Sequence, residues 1–127
     1  MENFKVLITD DSFIARRKIG NFLKSINFEV DEATNGLEAF EKIKVSNYDL
    51  IILDLLMPEY DGLWLLEQLI AANITIPVIV ISADIQETSK EKVLSLGASA
   101  FLNKPPKDNE LKITLAKVLN IKELSND

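Results

Sequence analysis

The sequence predicts an α/β domain, a doubly wound parallel sheet of five strands covered on both faces by five helices. Three observations lead there. Strand-like and helix-like segments alternate five times along the 127 residues, with no internal linker or low-complexity segment. That alternation implies parallel strands with helices on both faces. The stretches LIIL before Asp54 and PVIVIS at Pro77–Ser82 are apolar without alternation, as strands buried on both sides are. Right-handed crossovers then restrict the topology to a doubly wound sheet.

The elements follow in order. Lys5–Thr9 is a short β-rich run that ends at Asp10-Asp11. Ser12 is placed to cap a helix over Phe13–Ile26, where Ala15, Ile19, Phe22, Leu23 and Ile26 recur at helical spacing and Arg16, Arg17 and Lys18 fall largely off the stripe. Phe28–Ala33 alternates like a half-exposed edge strand. Asn35-Gly36 is a turn, and Asn35 with Glu38 forms a capping-box pattern for a helix that runs to about Ser46 and buries Ala39, Phe40 and Ile43. Leu50–Asp54 is the central strand, with Pro58 and Asp61-Gly62 closing the loop after it. Gly62–Ala72 is the third helix, with Leu65, Leu66, Leu69 and Ile70 facing in. Pro77–Ser82 is the fourth strand, and a polar helix over Glu87–Leu96 ends at Gly97, a good C-cap. Ala100–Asn103 is the fifth strand, Lys104-Pro105-Pro106 breaks the chain, and Asp108–Leu119 is the last helix, capped near Asp108. The length suits the flavodoxin-like strand order 2-1-3-4-5.

Composition removes several functions. A chain of this size buries about two-thirds of its unfolded surface, so one domain needs no staples. There is no cysteine and no histidine. Disulfides, thiolate chemistry and Ser-His or Cys-His nucleophile pairs are therefore excluded. A metal site must be built from oxygen, which favours Mg²⁺, Mn²⁺ or Ca²⁺ over Zn²⁺. The net charge of −6 argues against direct nucleic-acid binding. No apolar stretch approaches the roughly 20 residues of a membrane span. The expectation is a soluble cytoplasmic protein without membrane insertion.

Order 2-1-3-4-5 places the first and third strands at the switch point of the sheet, so Asp10, Asp11 and Asp54 converge on one crevice. Three neighbouring carboxylates repel unless a cation neutralises them. Mg²⁺ suits such a site, and Mn²⁺ has the same ligand preference. Ser82 and Lys104 end the fourth and fifth strands on the same rim. Taken singly, Asp54 reads equally as a turn residue, Ser82 as a cap and Lys104 as a solvated charge. Together they can hold a phosphoryl group's oxygens, and Asp54 becomes a candidate nucleophile.

The chain resembles the receiver domain of two-component response regulators over nearly its whole length. The resemblance rests on Asp10-Asp11, Asp54 with Met57-Pro58 and Asp61-Gly62, Ser82-Ala83, Gly97-Ala98 and Lys104-Pro105. It implies that Asp54 is the phosphoacceptor. Asp11, Asp54 and the backbone carbonyl of Leu56 would bind Mg²⁺ directly, and Asp10 would act largely through water. Lys104, the Ser82 hydroxyl and the Ala83 N–H would contact the phosphoryl group. Phe101 would be the aromatic switch responding to Ser82, and Lys104-Pro105 a cis peptide. A sensor histidine kinase or histidine phosphotransfer protein would dock around Phe13–Arg17 and the loop after the fifth strand. A downstream protein would bind the face of helix four, strand five and helix five. Ser82 stands where Thr is frequent, and Phe101 where Tyr is. Leu56 and Asp84 occupy positions that tune phosphoryl lifetime, and Val93 one where a smaller residue is usual.

The expected organisation is a receiver over residues 1–121 and a polar tail over 122–127, either alone or as part of a longer regulator. It would be a phosphoacceptor and not a turnover enzyme. A haloacid-dehalogenase-type phosphatase wants a second Asp two residues after the nucleophile, where Leu56 stands. A flavodoxin-like carrier would set Asp10-Asp11 against a flavin phosphate. A receiver-like binding module that is never phosphorylated is the remaining alternative.

Overall fold

The computed structural model describes residues 3–84 and 86–122. Its elements are β1 (Lys5–Thr9), α1 (Phe13–Ser25), β2 (Glu29–Ala33), α2 (Gly36–Val45), β3 (Leu50–Leu53), α3 (Gly62–Ala71), β4 (Val78–Ser82), α4 (Glu87–Ser95), β5 (Ala100–Asn103) and α5 (Asp108–Val118). The strands form one sheet, β2-β1-β3-β4-β5, with every pairing parallel. This is the expected order. The expected polar tail, apart from Lys122, lies outside the described residues.

Period two in the strands divides the core into two layers. Leu7, Ile51, Leu53, Val78 and Val80 face α2, α3 and α4, where they meet Ala39, Ile43, Leu65, Leu66, Leu69 and Val93. Val6, Ile8, Leu50, Ile52, Ile79 and Ile81 face α1 and α5, meeting Ile19, Leu23, Leu111 and Leu115. The central strands β1, β3 and β4 are buried almost throughout, and β2 is the half-exposed edge that its alternation predicts.

Local chemistry explains the helix starts. Ser12 Oγ accepts from Ala15 N, and Asn35 Oδ1 accepts from Glu38 N at 2.9 Å. Each such cap contributes about 1 kcal/mol. The reciprocal half of the capping box is shifted: Glu38 Oε1 accepts from Thr34 N, one residue before the cap. That hydrogen bond, working against partial burial, leaves the Glu38 carboxyl below its usual pKa.

Two expectations need correction. Ile70 is 53% exposed, because the inward stripe of α3 is filled by Leu65, Leu66 and Leu69. Asp108 is the first residue of α5 and not its cap; Lys107 holds that place and makes no side-chain cap bond. Asp108 and Glu110 in the first turn still favour the helix through its dipole. Gly97 follows α4 with φ of +95°, as a C-capping glycine does. Val93 is fully buried and is the one buried residue of α4.

Candidate functional site

The carboxylates lie just beyond the paired ends of β1 and β3. Thr9 pairs with Leu53, and the ladder continues through Asp54 N donating to Thr9 O at 2.9 Å. On the other side Asp10 N donates to Ala33 O at 3.1 Å. Asp10 and Asp54 are buried and Asp11 is exposed. One carboxylate oxygen from each of Asp10, Asp11 and Asp54 falls within 4.8 Å of the others. Carboxylates from two strand ends more than forty residues apart in sequence thus form one cluster, as the topology requires.

Lys104 reaches this cluster from the end of β5. Its N–H donates to Ser82 O at 3.0 Å. Its ammonium stands 2.7 Å from Asp10 Oδ2 and 3.4 Å from Asp54 Oδ2. The Lys104–Pro105 peptide is cis, as expected. Ser82 is fully buried, and its Oγ accepts from Asp84 N at 3.1 Å. Ala83, next to it, is exposed. The Leu56 side chain is exposed, while its N–H points at Asp54 Oδ1 from 3.5 Å, the outer limit of a hydrogen bond. Phe101 is partly buried against the core layer on the α4 side. The Asp84 carboxylate is already engaged, accepting from Ser89 Oγ at 2.6 Å and Gln86 N at 3.1 Å. These bonds lower its pKa and tie it to the start of α4.

The electrostatics are those of a site short of positive charge. Burial, and then the neighbouring Asp10 carboxylate, push the Asp54 carboxyl above its ordinary pKa, against the opposing pull of Lys104. Burial alone would lower the Lys104 pKa, but the Asp10 hydrogen bond and the charges of Asp54 and Asp10 outweigh it and raise it. Three carboxylates facing one ammonium leave two negative charges. An all-oxygen, doubly negative cluster fits a hard divalent cation such as Mg²⁺.

The loop behind Asp54 is shaped by close backbone approach. Asp61 Oδ1 accepts from Trp64 N at 2.9 Å and caps α3. Gly62 N donates to Leu55 O at 3.0 Å. A Cβ on Gly62 would lie 2.6 Å from Asp54 O and 2.9 Å from Leu55 Cα, both backbone atoms. The sequence marks Asp61-Gly62 as a turn but does not disclose this contact.

Arg16 carries a role that its place off the apolar stripe does not announce. Its Nη1 donates to the backbone carbonyl of Asp10 at 2.7 Å, and its Nε to Glu32 Oε1 at 2.8 Å. Its position four residues after Ser12 sets it one turn above the cap, yet nothing local pairs it with Glu32. That pairing comes from the parallel alignment of β1 with β2.

Comparison with known proteins agrees with this geometry. The profile of the family described as "Response regulator receiver domain" matches residues 6–116. The chain is 33% identical over 124 residues to the sensor protein EvgS of Escherichia coli, covering 98% of this chain and 10% of that protein. It is 35% identical over 120 residues to the transcriptional regulatory protein ResD of Bacillus subtilis, covering 94% and 47%. The chain thus spans from a tenth to about half of these relatives. Among solved structures, the receiver domain of Francisella response regulator 1452 superposes with a TM-score of 0.87 at 34% identity, covering 93% of this chain and 98% of that one. Receiver domains bind Mg²⁺ at an acidic aspartate cluster and interact with sensor histidine kinases. The chain belongs to the receiver-domain family of two-component response regulators.

Proposed function

We propose that Asp54 accepts a phosphoryl group from a phosphohistidine on a sensor histidine kinase or histidine phosphotransfer protein, and that the domain then switches partner. The observation that carries this reading is the position of Asp54: buried just beyond a strand end, clustered with two further carboxylates and 3.4 Å from the Lys104 ammonium. A carboxylate oxygen of Asp54 attacks phosphorus, the O–P bond forms, the P–N bond breaks, and the imidazole leaves and takes up a proton. Mg²⁺, or Mn²⁺ in its place, supplies charge neutralisation for the phosphoryl oxygens. Asp11, Asp54 and the Leu56 carbonyl are its assigned ligands, and Asp10 acts through water. Lys104, Ser82 and the Ala83 N–H are assigned to the phosphoryl oxygens. A phosphorylated Asp54 carries close to two negative charges where the free carboxylate carried one, and Ser82 and Phe101 respond to the phosphoryl group. The chain is then a phosphoacceptor without turnover activity of its own.

The donor is assigned to the groove between α1 and the loop after β5. Its volume is about 440 Å³, and Ile14, Lys18, Phe22, Lys104, Pro105 and Pro106 line it. Phe13 and Ile14 are both more than half exposed beside it. The output partner is assigned to the face of α4, β5 and α5, where Glu87, Lys90, Phe101, Asn103 and Glu110 line a second groove. We place the receiver unit at residues 1–121 and the protein in the cytoplasm, where a kinase donor is at hand. Among the described residues no helix is long and apolar enough to cross a membrane.

Incubation with acetyl phosphate and Mg²⁺, followed by intact mass, tests the reading. The wild type is expected to gain one phosphoryl group in a Mg²⁺-dependent manner, and Asp54→Asn to gain none. No adduct, together with no trapping by beryllofluoride, would identify an unphosphorylated binding module instead.

A further inference from the structure

We infer that Arg16 is a positioning residue for the metal half of the site, acting through the peptide plane from which Asp11 hangs. The inference rests on the reading of Asp10, Asp11 and Asp54 as the Mg²⁺ site.

Asp11 is exposed, and its carboxylate makes no hydrogen bond or ion pair among the described residues, so the backbone that carries it is what limits where it can reach. The Asp10 carbonyl belongs to the peptide bond that leads into Asp11. Arg16 Nη1 donates to that carbonyl at 2.7 Å. The same guanidinium donates through Nε to Glu32 Oε1 at 2.8 Å, and the Arg16 side chain is only 11% exposed. Glu32 is held in turn, because its backbone lies in β2 opposite Ile8 and its carbonyl accepts from Lys42 Nζ. Of the other bonds of the turn, Asp10 N donates to Ala33 O, and Ser12 N donates to Asp10 Oδ1 in an Asx turn that spans the same peptide; Arg16 is the donor that holds the carbonyl itself. Phe13 lies over the guanidinium, with its ring centroid 5.8 Å from Arg16 Cζ. Arg16 therefore clamps the peptide plane between α1 and the sheet edge. A planar fork with two fixed donors suits this task in a way that an ammonium does not.

Two effects of removing Arg16 have opposite signs, and this makes the inference testable. Deleting a positive charge beside an acidic cluster raises its attraction for a cation, so electrostatics alone predicts tighter Mg²⁺ binding in Arg16→Ala. Loss of the clamp leaves the Asp10–Asp11 peptide held only by the Ser12 N–H to Asp10 Oδ1 bond and loosens the aim of Asp11, so positioning predicts weaker binding. Groups that orient metal ligands are typically worth about 10-fold to 100-fold in metal affinity.

The measurement is Mg²⁺ titration by calorimetry on the wild type, Arg16→Ala and Arg16→Lys, without phosphodonor. Circular dichroism checks that each variant is folded at the working temperature. Arg16→Ala is expected to bind Mg²⁺ about 10-fold more weakly than the wild type or worse. Arg16→Lys keeps the charge but not the fork, and guards against an alanine variant that fails to fold; it too is expected to bind more weakly. Unchanged or tighter binding in a folded variant overturns the inference while leaving the site intact. A wild type that takes up no Mg²⁺ overturns the reading of the site and this inference with it.

Discussion

At the scale of single residues, Asp54 is costly to the unliganded fold. Its folded pKa lies above the ordinary carboxyl range because burial and then Asp10 disfavour the anion. The folded state therefore holds this proton more tightly than the unfolded state does. The cost is absent below the unfolded pKa, grows as pH rises from there, and is complete once the pH has passed the folded pKa. Asp54→Asn removes it and leaves Lys104 its 2.7 Å partner Asp10. Without divalent ions at pH 7 the variant is expected to melt at a higher temperature than the wild type. Thermal melts should show the difference shrinking as pH falls toward the unfolded pKa. Equal stability at pH 7 would mean that Lys104 already neutralises Asp54. Mg²⁺ is expected to reverse the order, since it stabilises only the protein that binds it. Asp10, Asp11, Asp54, Ser82 and Lys104 were legible because each lies at the end of a strand or just beyond it, and strand ends can be read from apolar runs. Arg16 was not, because its partners are a backbone carbonyl and a residue on another strand.

At the scale of elements, the start of α3 shows where local propensity misleads. Gly62 is the first residue of the helix, and alanine there would be preferred on intrinsic grounds. The structure reverses that preference, because the new Cβ would press on the backbone of Asp54 and Leu55. Gly62→Ala is expected to destabilise by about 1–3 kcal/mol and to slow phosphorylation from acetyl phosphate, since the displaced backbone carries Asp54. Gly97→Ala is the control: its Cβ meets nothing within 4 Å, but φ is +95°. It too should cost about 1 kcal/mol, with the phosphorylation rate unchanged. Urea midpoints and initial rates for the two variants decide the matter. Equal rates would show that the loop can retreat from Asp54. Element boundaries were legible throughout, since every element lies within one residue of its expected limits. The exposure of Ile70 and the missing cap at Asp108 were not. A helical stripe specifies a direction, but its width depends on what the neighbours fill.

At the scale of the molecule, parallel pairing and right-handed crossovers leave few topologies, and that is why convergence at β1 and β3 could be deduced from an unaligned chain. What pairing rules do not give is how far a change at the crevice travels. The sheet is asymmetric in this respect. Lys104 and Ser82 join the crevice to the ends of β5 and β4, and Asp84 links Ser82 Oγ to the first turn of α4 through Ser89 and Gln86. On the opposite side, Thr34 and the start of α2 are held by their own capping bonds and by Gly36 N donating to Tyr60 O at 2.7 Å. A ligand on Asp54 that draws the Ser82 hydroxyl toward it must break the 3.1 Å bond from Asp84 N. The response should therefore spread toward α4 and β5 and leave α2 nearly still. Backbone amide spectra with Mg²⁺, before and after beryllofluoride, would show it as large shifts at 82–84, 86–90 and 101–104 and small ones at 29–45. Shifts confined to residues 10–12 and 54–57 would mean that the crevice binds its ligand without moving the output face. A switch in which the phosphoryl group shifts the population of output-face conformations would then give way to one in which the phosphoryl group itself is the surface that the partner reads.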